Sequence, residues 1–188
     1  MAQSKFTNAI NVSYATVVAA LTANATSPDQ LAAIASLPAT DPTGGGTFRL
    51  TRSEAKALGL LPANSDSVID GYVGLSSADT FSFDPNNRAV AGEFDAIGAF
   101  EHEITEVMGR VGSLGQAFGA NVYTPLDLFR YSAPGVRDLS FGPGYFSVDG
   151  QTLLTPRIAC DMGWKPEGRR RRRLRRMGKW SVLARRLR

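Results

Sequence analysis

The sequence predicts a single α+β domain with a small mixed sheet, one long packed helix and a loop-rich C-terminal part. Three observations lead there. Apolar residues at Ile97, Phe100, Ile104, Val107, Met108 and Val111 recur at helical spacing and predict a helix over 93–111 with one continuous buried stripe. Short runs rich in strand formers precede it, at 48–50, 67–75 and 80–83. Glycine, proline and serine then punctuate the stretch from 112 to 150.

Taken in order, residues 1–40 read as an N-terminal helical segment that leads into a main domain over 41–164. Val17, Val18 and Leu21, then Leu31, Ala32, Ile34 and Ala35, predict two short helices between Ser13 and Ala35. Ser27-Pro28-Asp29 suits the start of the second, with an N-cap serine and a proline in the first turn. Asp41-Pro42-Thr43-Gly44-Gly45-Gly46 breaks the chain into a loop. Phe48-Arg49-Leu50 is then a strand, and 51–59 a short helix stopped by Gly59. Over Ser67 to Leu75, Val68, Ile69, Tyr72 and Val73 favour a strand that Gly71 interrupts. Thr80 to Phe83 is a second strand, closed by the turn residues Asp84-Pro85-Asn86-Asn87.

Composition narrows the function classes. The single cysteine, Cys160, excludes an intramolecular disulfide framework and a cysteine-based zinc knuckle. No stretch approaches the ~20 apolar residues of a membrane span. The N-terminus has a poor signal-peptide pattern, with Lys5 alone before a polar stretch, so export by that route requires a start further upstream. The net charge of +4 conceals a division: 165–188 hold twelve of the 21 Lys and Arg beside one acid, Glu167, so 1–164 hold nine basic and sixteen acidic residues. The body is acidic, with no basic face for specific nucleic-acid binding.

The most informative segment is His102-Glu103-Ile104-Thr105-Glu106, which contains the only histidine of the chain. In the zinc-protease pattern His-Glu-x-x-His, two ligands four residues apart share one helical face and the glutamate activates water. Here Glu106 stands in the second ligand's place. Zinc accepts carboxylate oxygen as well as imidazole nitrogen, so His102 and Glu106 are candidate metal ligands and Glu103 the candidate catalytic base. With six glutamates in the chain, glutamate at both +1 and +4 of the one histidine has a chance of roughly one in a thousand. The bland alternative is a solvated helix face.

The stretch Ala96–Arg110, with His102-Glu103-Ile104-x-Glu106-x-x-Gly109-Arg110 at its centre, resembles the active-site helix of metzincin-type peptidases. More closely, it resembles a group of bacterial secreted metalloproteases with a variant zincin motif, in which a Leu-Asp-Leu-Phe-Arg-Tyr-Ser segment follows the helix, as at Leu126–Ser132 here. The resemblance spans roughly 13–150. It implies a zincin-like fold, a zinc-dependent endopeptidase acting on peptide or protein substrates, and an extracellular location.

The third ligand is the open point. The metzincin pattern places a histidine at position 112, which is Gly112, and the only glutamate after Glu106 is Glu167. Asp127, within the Leu126–Ser132 segment, is the preferred candidate, and Asp138, Asp149 and Tyr131 are the others. A competing role for Asp127 is a turn or a salt bridge with Arg130. One histidine with two carboxylates suits iron or manganese as well as zinc. Met162 in Cys160-Asp161-Met162-Gly163-Trp164 invites comparison with a methionine turn, although simple packing is the commoner role. Cys160 reads as a small buried residue, since no second histidine exists to activate it.

The arginine-rich tail, with five consecutive arginines at 169–173, has two readings. One is an anchor for phosphates, which makes nucleic-acid binding a rival function. The other is the product of a shifted reading frame, with the natural chain continuing differently after about Thr155 and a ligand lost with it. A further rival is a non-catalytic secreted or surface domain that keeps the helix for packing alone.

Overall fold

The computed structural model describes residues 2–63 and 68–154. Cys160, Met162 and the tail at 165–188 lie outside the described residues, as does Ser67. The architecture is α+β, with four short sheets and four helices among the described residues.

Strands β1 (Ala2–Phe6) and β2 (Ile10–Val12) open the chain. The sequence reading missed both, because they are short and form no continuous apolar run. Helix α1 (Tyr14–Asn24) starts at Ser13, whose hydroxyl accepts from the Thr16 amide. Helix α2 (Pro28–Ser36) starts in a full capping box: Ser27 accepts from the Gln30 amide, and the Gln30 side chain accepts from the Ser27 amide. Residues 2–40 are thus not helical alone; they supply two strands and two helices to the same body.

Strand β3 (Thr47–Leu50) pairs antiparallel with β2. Helix α3 (Arg52–Ala57) follows at once, capped by Thr51, and ends near Gly59, whose φ is +70°. Strand β4 (Gly71–Leu75) pairs antiparallel with β1. It begins at Gly71 instead of being interrupted by it, and Val68 and Ile69 stay outside the ladder, exposed. Gly71 is required there: a methyl group on it would come 2.6 Å from Val107 Cγ1. Strands β5 (Phe81–Ser82) and β6 (Phe94–Asp95) form a parallel pair.

Helix α4 (Ala96–Val107) is shorter than the predicted 93–111. Asp95 belongs to β6 and caps the helix by accepting from the Gly98 amide, while Arg88 braces the same carboxylate at 2.6 Å. At the other end Gly109, at φ +107°, makes a Schellman turn: its amide donates to Glu106, and the Arg110 amide to Thr105.

The predicted stripe is corrected too. Ile104 is 47% exposed and Met108 62%. The buried residues of α4 are Ala96, Gly98, Ala99, His102 and Glu103. The helix meets β4 where Val107 lies over Gly71 and meets β1 where Glu106 takes the Ser4 hydroxyl, and His102 and Glu103 turn inward.

The C-terminal part is not all loop. Strand β7 (Val122–Tyr123) adds parallel to β3, and a 3-10 helix (Pro125–Phe129) leads into β8 (Arg130–Ala133). Strand β8 pairs with β9 (Val136–Arg137) and β10 (Tyr145–Phe146). The main core joins Tyr14, Val17, Phe48, Leu50, Ala55 and Leu128, drawn from α1, β3, α3 and the 3-10 helix. Full burial of such side chains contributes about 1.5–3 kcal/mol each.

Candidate active site

One helical turn separates His102 from Glu106, and their side chains meet: His102 Nε2 lies 2.9 Å from Glu106 Oε1. The other oxygen, Oε2, accepts from the Ser4 hydroxyl of β1 at 2.7 Å. The β1–β4 ribbon packed on α4 is what delivers Ser4. The far side of the imidazole is also engaged, with Arg110 Nη2 3.0 Å from His102 Nδ1. The Schellman turn makes this contact, because it sends the chain back over the last helical turn. Arg110 is held there by Thr105 Oγ1, which accepts from Nε at 2.7 Å.

The chain of contacts therefore runs Ser4, Glu106, His102, Arg110. Arginine carries only donors, so Nδ1 must offer its lone pair, and the ring proton sits on Nε2 and is donated to Glu106. Burial works against a charge on Glu106, but the hydrogen bonds from His102 and Ser4, with the nearby Arg110 charge, hold its carboxyl below the usual range.

Glu103 differs from its neighbour. It is 3% exposed, the most deeply placed side chain of the motif. A carboxylate set one residue from His102 and largely buried is a candidate for chemistry.

Glu54, on α3, is a site neighbour that sequence reasoning missed. Its carboxyl lies against Gly109, where a methyl group would come 2.8 Å from Oε2. Burial pushes its carboxyl up to about 8, eased only by the Thr51 backbone amide. No local pattern signals this, since it depends on α3 packing under the end of α4. Ser4 was equally invisible, as one serine in a polar strand.

Asp127 is not brought to the pair. It is fully buried, and its two oxygens accept from the amides of Ser113, Leu114 and Thr124 at 2.8–3.1 Å. Burial pushes its carboxyl above the ordinary value, and these amides pull it back in part. Arg130 is not its partner. That side chain, also fully buried, pairs with Asp138 at 2.8 Å and donates to the carbonyls of Asp138, Gly142 and Pro143. The Leu126–Ser132 segment thus acts as a clamp, with Asp127 organising the loop after α4 and Arg130 the loop before β10.

The other third-ligand candidates have similar employment. Asp138 pairs with Arg130 and accepts from Ser140, Asp149 accepts from Ser147, Gln151 and Thr152, and the Tyr131 hydroxyl accepts from Arg137. Among the described residues, no three His, Cys, Asp or Glu side chains gather into a metal-holding group. The donors present, imidazole Nε2 and carboxylate Oε1, supply two of the four positions of a zinc site and touch each other at hydrogen-bond distance.

No helix among the described residues is long and apolar enough to cross a membrane. Comparison of the chain with protein families, with curated proteins and with solved structures finds no match.

Proposed function

We propose that this chain is a metal-dependent endopeptidase of zincin type, with His102 and Glu106 as ligands and Glu103 as general base. The observation that carries the reading is one helix that turns His102 and Glu106 toward each other, Nε2 to Oε1 at 2.9 Å, next to the largely buried Glu103. The resemblance of 96–110 and 126–132 to secreted bacterial metalloproteases agrees with it, and an extracellular peptide or protein substrate follows from that resemblance.

Zinc, or iron or manganese, would be held by His102 and Glu106 and would supply Lewis-acid chemistry that makes water nucleophilic near neutral pH. Glu103 takes the proton of the attacking water and returns it to the departing amine. Ser4, by donating to Oε2, leaves Oε1 as the oxygen for ligation and fixes the carboxylate plane.

The test is metal content of the full chain after zinc loading, beside His102→Ala and Glu103→Gln. About one metal per chain in the parent and in Glu103→Gln, lost in His102→Ala, is expected. Peptide hydrolysis should fall by about 10²–10⁴-fold in Glu103→Gln. Metal content indifferent to His102→Ala would refute the reading.

A second reading, a non-catalytic domain, draws on the same contacts: the Ser4–Glu106–His102–Arg110 chain also stitches β1 to α4. It expects no His102-dependent metal and a loss of stability in every variant of the chain.

A further inference from the structure

We propose that α2 is a strap that detaches from the body and closes again as one unit, with Arg137 of β9 as its latch.

What holds the helix down is slight. No side chain of α2 is buried, and its Leu31 is 56% exposed. Helix α1, by contrast, buries Tyr14, Val17 and Ala20. Val18 and Leu21 of α1 and Leu37 beyond α2 pack on the main core, but no residue of 28–36 does. A segment with so few buried apolar contacts opens at a small fraction of the global cost. Its own order is secured by the capping box at Ser27 and Gln30, so it moves as a helix. Anchors stand at both ends. Asn24 donates to the Leu58 carbonyl at 3.1 Å on one side. On the other, Leu37 packs on the core and Tyr14 donates to the Pro38 carbonyl at 2.6 Å.

Between the anchors, among the described residues, a single hydrogen bond joins α2 to anything beyond its own flanks. Arg137 Nη2 donates to the Ser36 carbonyl at 2.6 Å. The last turn of α2 has no basic residue of its own, and its free carbonyls form the negative end of the helix. Arg137 supplies that cation from 101 positions away. The guanidinium lies 4.8 Å over the Tyr131 ring and donates to the Tyr131 hydroxyl. Among the described residues no carboxylate pairs with it, so the carbonyl end of α2 is the counterpart of its charge. Opening breaks this one charged hydrogen bond. The Tyr131 stack keeps the guanidinium in place for closure.

Amide hydrogen exchange of the full chain tests the strap. Amides from Leu31 to Ser36 should exchange faster than those of β3 and at a rate unmoved by low urea, because local opening exposes little new surface. Those of β3 should follow global unfolding. Arg137→Met should speed exchange in α2 at least about tenfold, as loss of a charged hydrogen bond implies, and leave β3 unchanged. Arg137→Lys keeps the charge without the planar stack and should fall between. Exchange in α2 that tracks β3 as urea rises would overturn the strap. An α2 rate equal to the parent's in Arg137→Met, or a rise shared equally by β3, would overturn the latch. Should Arg137→Met fold poorly, the urea dependence of the parent and the rate in Arg137→Lys decide.

Discussion

Replacing Glu54 with glutamine should change how stability depends on pH. The Glu54 carboxyl sits under the end of α4 against Gly109, and burial raises it from 4.5 to about 8. The folded form therefore keeps its proton over a range where the unfolded chain has released it. Stability is full below about 4.5, falls as pH rises through that window, and levels off above about 8. At about 1.4 kcal/mol per pH unit, complete exclusion of water would make the loss roughly 5 kcal/mol. Glu54 is only partly enclosed, so solvent reduces this, and we expect about 2 kcal/mol. Glutamine has nearly the same shape and no charge to bury. Urea unfolding of both proteins at half-unit steps from pH 4 to pH 9 gives the difference curve, in which other titrating groups cancel. The variant should gain relative to the parent as pH rises. A flat difference curve would refute the reasoning, because it would mean that the carboxyl is solvated in the folded chain.

Three further outcomes are expected. Gly109→Ala should lower stability by at least about 2 kcal/mol in thermal unfolding, since the position has φ +107° and a methyl group would meet the Glu54 carboxyl at 2.8 Å; unchanged stability would mean that the Schellman turn can be rebuilt. Asp127→Ala should cost roughly 3 kcal/mol or more, because it strips acceptors from three buried amides; a folded variant that loses metal would instead return Asp127 to the ligand set. Ser4→Ala removes one hydrogen bond to the Glu106 carboxylate and should cost about 1–2 kcal/mol in urea unfolding, and an unaltered denaturation midpoint would show that water replaces the hydroxyl.

Much of the fold was legible wherever a cap and a 3.6-residue period coincide. Helices α1 and α2 begin at Ser13 and Ser27, and α3 at Thr51, each with the hydroxyl on an amide of the first turn. Strands β1, β2 and β8–β10 were not legible, since none exceeds five residues, and β1 and β2 are defined by distant partners. The α4 stripe shows a limit of periodicity. Spacing locates a face, but the buried face turned out to be that of Ala96, Gly98, Ala99, His102 and Glu103, which partners from distant elements select. The meeting of His102 and Glu106 was legible because four residues on a helix fix it locally. The role of Asp127 was not, because its partners at 113, 114 and 124 lie on a loop whose path follows from the whole fold.

The hydrogen bond from Ser4 to Glu106 joins residues 102 positions apart, and the β1–β4 ladder closes a loop of some seventy residues. Such closures cost chain entropy before their contacts repay it, so they come late in folding. During synthesis β1 emerges before α4 and must wait for it before its serine has a partner. On refolding, helical signal should therefore recover ahead of any probe placed on Glu106. The His102–Glu106 face of α4 is then the last part of this body to acquire its final form, and the first that a weakened β1 would disturb.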